Sequence, residues 1–78
     1  MKHFEQGIYK DIEWTLNYDI NEKSCNSTIT CNKYDEEICN QFDIVFKNGV
    51  YYGYSSCTPN FDDEKNYIFR VIDCLINN

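Results

Sequence analysis

The side chains best suited to chemistry in this 78-residue chain are five cysteines and one histidine. The cysteines stand at 25, 31, 39, 57 and 74. No two are separated by the two or four residues that present a thiolate pair to one zinc ion, and His3 lies beside the chain start, where termini fray. No structural metal is therefore expected. The cysteine count is odd, and Met1-Lys2-His3-Phe4-Glu5 opens no apolar run of about 7 to 15 residues of the kind a secretory signal carries. Reduced thiols in a cytoplasmic protein are the expectation, with Cys31 and Cys74 acting as small core hydrophobes. The rival is a secreted module stapled by disulfides, in which the sequon Asn26-Ser27-Thr28 would also matter.

Catalysis is poorly served. A cysteine or serine nucleophile needs a base within hydrogen-bond reach, and the only histidine precedes the first expected strand, with little to hold it. Gly7, Gly49 and Gly53 are scattered, so there is no phosphate-cradling loop. The chain reads as a non-enzyme without a cofactor.

Charge says more. Thirteen Asp and Glu against seven Lys and Arg give a formal net charge of -6 and a sequence pI near 4.5. The cations are isolated singles, so direct nucleic-acid binding is disfavoured, because neutralising phosphates takes clustered Lys and Arg. The opposite sign is more informative. If Asp11 and Glu13 project from one strand face, they stand about 6.6 to 6.8 Å apart, close to two nucleotide steps of about 3.4 Å along one DNA strand. Asp19 and the clusters Asp35-Glu36-Glu37 and Asp62-Asp63-Glu64 extend this into a surface that fits a basic nucleic-acid groove. Acidic strand faces and acidic first helical turns also arise for solubility and dipole complementarity alone. Tyr51, Tyr52 and Tyr54 form a second cluster. Alternation puts Tyr52 and Tyr54 on one face and Tyr51 on the other, so at least one ring is expected at the surface as an interface anchor, or else as cover for a second sheet face.

These residues need a scaffold, and the pattern of apolar positions predicts one. Ile8, Ile12, Trp14, Leu16, Tyr18 and Ile20 alternate with Asp11, Glu13, Thr15, Asn17 and Asp19, the period of a half-buried strand, so one long strand is expected over 8–20. Asn21 to Asn26 reads as a loop, and Ser27 to Tyr34 as a second strand pairing with the first. Asn48-Gly49, between Phe42–Phe46 and Val50–Tyr54, is a preferred two-residue hairpin turn that sets Phe46 opposite Tyr51 and Val45 opposite Tyr52. A helix through Tyr34, Ile38, Phe42 and Phe46 competes with it. With the hairpin, Asp35 to Gln41 becomes a connecting segment.

The last third predicts a helix over about 60–76. Thr58-Pro59-Asn60 supplies a cap, Asp62-Asp63-Glu64 an acidic first turn, and Ile68, Val71, Ile72 and Leu75 an apolar stripe. The whole is one α+β domain over 1–78: a small antiparallel sheet of about four strands with one C-terminal helix on one face. No stretch approaches the about 20 apolar residues of a membrane helix.

Ten Asn and nine Ile beside no Ala and one Arg are the bias of AT-rich coding. In size, acidity and composition the chain resembles the small inhibitors that phages and mobile elements direct against host nucleases, including anti-CRISPR proteins and DNA mimics. That likeness is one of type and carries no residues across. It implies a stoichiometric blocker of a larger basic protein or nucleoprotein complex. An immunity protein for a nuclease toxin would use the same acidic-on-basic attraction.

Overall fold

The computed structural model describes residues 2–33, 36–39, 44–53, 57–58 and 60–77, with backbone alone for 36–39, 44, 52 and 53. Six strands and one helix follow in order: β1 (Lys2–Tyr9), β2 (Ile12–Asp19), β3 (Ser24–Thr30), β4 (Glu36–Cys39), β5 (Ile44–Lys47), β6 (Val50–Gly53) and α1 (Phe61–Asn77). The strands form one antiparallel sheet in the order β1-β2-β3-β6-β5-β4, with α1 packed on one face. This is the expected α+β architecture with two more strands than expected.

The first additional strand comes from splitting the long one. Lys10 and Asp11 both adopt left-handed backbone, at φ 51° and 68°, and make a two-residue turn that sets Tyr9 opposite Ile12. Primed turns of this kind match the right-handed twist of the flanking strands, and Asp tolerates the positive φ better than most residues do. The turn also reverses the phase of the alternation. In β2 the even residues Ile12, Trp14, Leu16 and Tyr18 point to the helix and are buried, as expected. In β1 it is the odd residues that face inward, so Ile8 lies on the other face and is 70% exposed. Ile20, past the end of β2, is exposed as well.

The second additional strand is β4. Residues 36–39 are not a connection but pair with β5 along its outer edge, Glu36 opposite Lys47 and Glu37 opposite Phe46. β3 begins at Ser24 and ends at Thr30, earlier at both ends than expected; its early start follows from the turn that Asp19 closes, the Oδ1 accepting the N–H groups of Asn21 (3.0 Å) and Glu22 (3.2 Å).

The Asn48-Gly49 hairpin forms as expected, with Phe46 opposite Tyr51 and Val45 opposite Tyr52. Asn48 (φ 54°) and Gly49 (φ 78°) take the left-handed conformations that such a turn requires. Gly49 is needed twice over, since a Cβ there would sit 2.8 Å from the Cys31 carbonyl oxygen, where the Cys31 N–H donates to the Gly49 carbonyl.

The helix begins where its cap says. Asn60 Oδ1 accepts the N–H groups of Asp62 (2.8 Å) and Asp63 (3.4 Å), satisfying two of the donors that a helix start leaves orphaned. Its stripe of Ile68, Val71, Ile72 and Leu75 is buried against Trp14, Leu16, Tyr18, Ile29, Phe46 and Tyr51 in a single core. Each such aliphatic side chain contributes about 1.5 to 3 kcal/mol on burial. Aromatic contacts tie α1 to the first hairpin: Phe69 stacks on Tyr9 (ring centroids 4.5 Å apart) and meets Trp14 edge-on at 5.5 Å, and Phe61 meets Tyr18 edge-on at 5.7 Å. Asp73 receives the Lys10 ammonium at 2.6 Å and the Tyr9 hydroxyl at 3.3 Å, and the bond to Asp73 holds the Lys10 pKa above its ordinary value. Among the described residues, no helix is long and apolar enough to cross a membrane.

Candidate functional site

Among the described residues, Cys25, Cys57 and Glu64 gather at one end of the covered face, where β2, β3, the segment before α1 and its first turn converge. Inward alternation along β3 buries Cys25, directly opposite Tyr18 of β2. The chain returns through Cys57 and Thr58, and the first turn of α1 lowers Glu64 onto the same spot. The sulfurs of Cys25 and Cys57 and a carboxylate oxygen of Glu64 all lie within 4.8 Å of one another.

Each oxygen of Glu64 has its own task. Oε1 accepts the Thr58 N–H at 2.6 Å, while Oε2 lies 3.6 Å from Cys25 Sγ, which donates to it. The Tyr18 hydroxyl donates to the Thr58 carbonyl, so both backbone groups of Thr58 are used to fix this corner. Burial pushes the Cys57 thiol up to about 12, with the hydrogen bond to Cys25 and the negative potential of Cys25 and Glu64 acting the same way. Burial likewise raises the Tyr18 phenol. A cavity of about 160 Å³ lined by Tyr18, Ile20, Lys23, Cys57 and Thr58 opens beside the cluster.

This arrangement overturns two expectations and adds to a third. Glu64 belongs to no acidic surface patch: only 4% of it is exposed. It stands four residues before Ile68 on the apolar stripe, and that placement, a carboxylate on a core-facing helical row, was the signal available in the sequence. Among the described cysteines Cys25 is buried, and Cys31 and Cys74, half-buried, pack against the core as expected. Cys25, Cys31, Cys57 and Cys74 are thiols, none joined in a disulfide. Finally, His3 is not loose, since it pairs with Tyr18 in the sheet and its ring lies 5.4 Å from that of Phe61.

The residues expected to meet a partner are dispersed. Asp11 sits in the β1–β2 turn and not on a strand face, so no Asp11–Glu13 ladder with nucleotide spacing exists. Glu13 is exposed on the face of β2 that α1 leaves bare, and Asp19 ends the same row with an oxygen committed to its turn. Asp62 and Asp63 are exposed at the start of α1. Glu36 and Glu37 lie in β4 at the far edge of the sheet. Tyr51 is buried at 2% exposure between Ile29 and Phe46, so it offers no anchor to a partner. Tyr52 lies in β6 between Thr28 and Val45, and Asp35 and Tyr54 lie outside the described residues.

Two residues that sequence reasoning assigned to no surface stand out instead. Phe4, 59% exposed, and Ile8 line the bare face of β1 opposite Asn17 and Glu13. Farther along the same face, Val45 is 47% exposed. No family model, no curated protein and no solved structure matches this chain.

Proposed function

We propose that the protein is a non-enzymatic inhibitor that binds a larger basic protein, one that itself handles nucleic acid, and blocks it stoichiometrically through the uncovered face of the sheet. The observation that carries this reading is the row of Phe4 and Ile8 standing exposed beside Glu13 in a chain of net charge -6. Large apolar side chains grouped on a bare sheet face supply the area that desolvates on docking, and the surrounding carboxylates supply attraction to a positive surface. Asp11 and the Asp62-Asp63 pair add to the long-range field without a fixed spacing to any nucleic-acid backbone. The mode is therefore charge-steered docking of a sheet face, and the biological setting that fits is anti-defence by a phage or mobile element.

The test pairs two baits. The parent and a Phe4→Ser/Ile8→Ser variant are used for capture from host lysate, and rate constants are then measured on the captured protein at several salt concentrations. Association should slow steeply as salt rises, since exposed charges are screened beyond about 8 Å at physiological ionic strength. Charge reversal at Asp11 and Glu13 should slow association further, whereas the apolar variant should dissociate faster. Salt-independent association, together with equal dissociation of the parent and the apolar variant, rules out this face as the contact.

A further inference from the structure

We propose that Cys25, Cys57 and Glu64 form a binding site for one zinc-class divalent cation, a site that neither draws on the partner-binding face nor depends on it. The ligand atoms come from β3, from the segment before α1 and from its first turn, and they already lie within 4.8 Å of one another. Tetrahedral zinc, with Zn–S near 2.3 Å and Zn–O near 2.0 Å, sets sulfur and oxygen ligands about 3.5 Å apart and two sulfurs about 3.8 Å apart. The Cys25 Sγ to Glu64 Oε2 distance of 3.6 Å meets the first requirement as it stands.

The donor set selects the metal class. Two thiols and one carboxylate suit a borderline-soft ion and disfavour magnesium or calcium, which take oxygen ligands in larger number. The second shell is in place too: the Thr58 N–H holds Glu64 Oε1, leaving Oε2 turned to the sulfurs, and Tyr18 fixes Thr58 from the other side. Three ligands leave a fourth position, and the cavity of about 160 Å³ that Cys57 shares with Lys23 offers both a route for the ion and room for a water.

Electrostatics points the same way. Two thiols and a carboxylate are gathered here, Cys25 Sγ donating to Glu64 Oε2 at 3.6 Å, and their ionised forms repel one another unless a cation lies between them. A divalent ion inverts the situation. It binds two thiolates and one carboxylate, releases the two thiol protons, and leaves a single residual negative charge, with the Lys23 side chain on the adjoining cavity.

The test uses the whole chain, reduced with a phosphine under anaerobic conditions, and cobalt(II) as the probe. Thiolate-to-cobalt charge-transfer absorption in the near ultraviolet, visible bands of tetrahedral intensity, a stoichiometry of one and two protons released per ion are expected. Zinc should abolish the bands by displacing cobalt and should raise the melting temperature. Cys25→Ala and Cys57→Ser should lose the charge-transfer band, Glu64→Gln should bind about tenfold more weakly or worse, and Cys31→Ser and Cys74→Ser should bind like the parent. The parent's spectrum and proton count decide the matter even if a variant fails to fold. A parent that shows no thiolate-to-cobalt absorption at micromolar cobalt, or one whose absorption disappears in Cys31→Ser or Cys74→Ser instead, overturns the site.

Discussion

The two faces of the β1–β2 hairpin alternate residue by residue along the same sixteen strand positions, yet they have opposite fates. The covered face carries Tyr9, Ile12, Trp14, Leu16 and Tyr18, locked by Phe61, Phe69 and the aliphatic stripe of α1. The bare face carries Phe4 and Ile8 among Gln6, Glu13, Thr15 and Asn17, with no element of the described residues packed on it. Apolar character alone does not separate them, since Phe4 and Ile8 are as hydrophobic as anything beneath the helix. What separates them is phase, and the two-residue turn at Lys10-Asp11 sets the phase.

That comparison can be broken at several points. Trp14→Ala removes the largest side chain of the covered face and should cost about 3 to 5 kcal/mol in urea unfolding. A loss below about 1 kcal/mol would mean that the indole is not packed beneath α1. Gly7→Ala should follow, at about 1 to 3 kcal/mol, because a Cβ there would stand 3.1 Å from the Trp14 ring on the inward face of β1. Were Gly7 on the bare face, the same substitution would be neutral or stabilising.

Asp11→Gly should raise stability by about 0.5 to 1 kcal/mol, because glycine takes the positive φ without the penalty that a Cβ brings. A destabilised variant would place the turn elsewhere and restore the single long strand. The smallest effect belongs to the bare face: Phe4→Ser and Ile8→Ser should each shift stability by less than about 0.5 kcal/mol. Their thermal melts should overlay that of the parent, which also makes them clean reagents for the partner test.

The sequence made some of this legible and hid the rest for physical reasons. Asn48-Gly49 announces its hairpin because that dipeptide supplies two left-handed residues cheaply. The helix is equally plain, with Asn60 capping it and Ile68, Val71, Ile72 and Leu75 at helical spacing. Lys10-Asp11 adopts the same backbone with residues that do not advertise it, and Ile8 and Ile12 continue an unbroken alternation across a turn that exchanges the two faces. β4 was hidden because Glu36 and Glu37 have low strand propensity, so their pairing with Lys47 and Phe46 is a tertiary choice. The thiol–carboxylate cluster was hidden most thoroughly, since metal-spacing rules look for ligands close in sequence, whereas Cys25, Cys57 and Glu64 meet only through the docking of α1 on β3.

The strand order carries a kinetic consequence. Four of the five strand pairings join sequence neighbours, and only β3 against β6 joins strands that are not consecutive. The sheet is thus two three-stranded meanders sewn together along Ile29 and Tyr51, each able to zip by short loop closures. Within the sheet the long loop closure falls on that seam, but the contacts farthest apart in sequence are those of α1 with the first meander, Tyr9 and Asp73 lying 64 positions apart, so the docking of the helix carries the larger entropic cost.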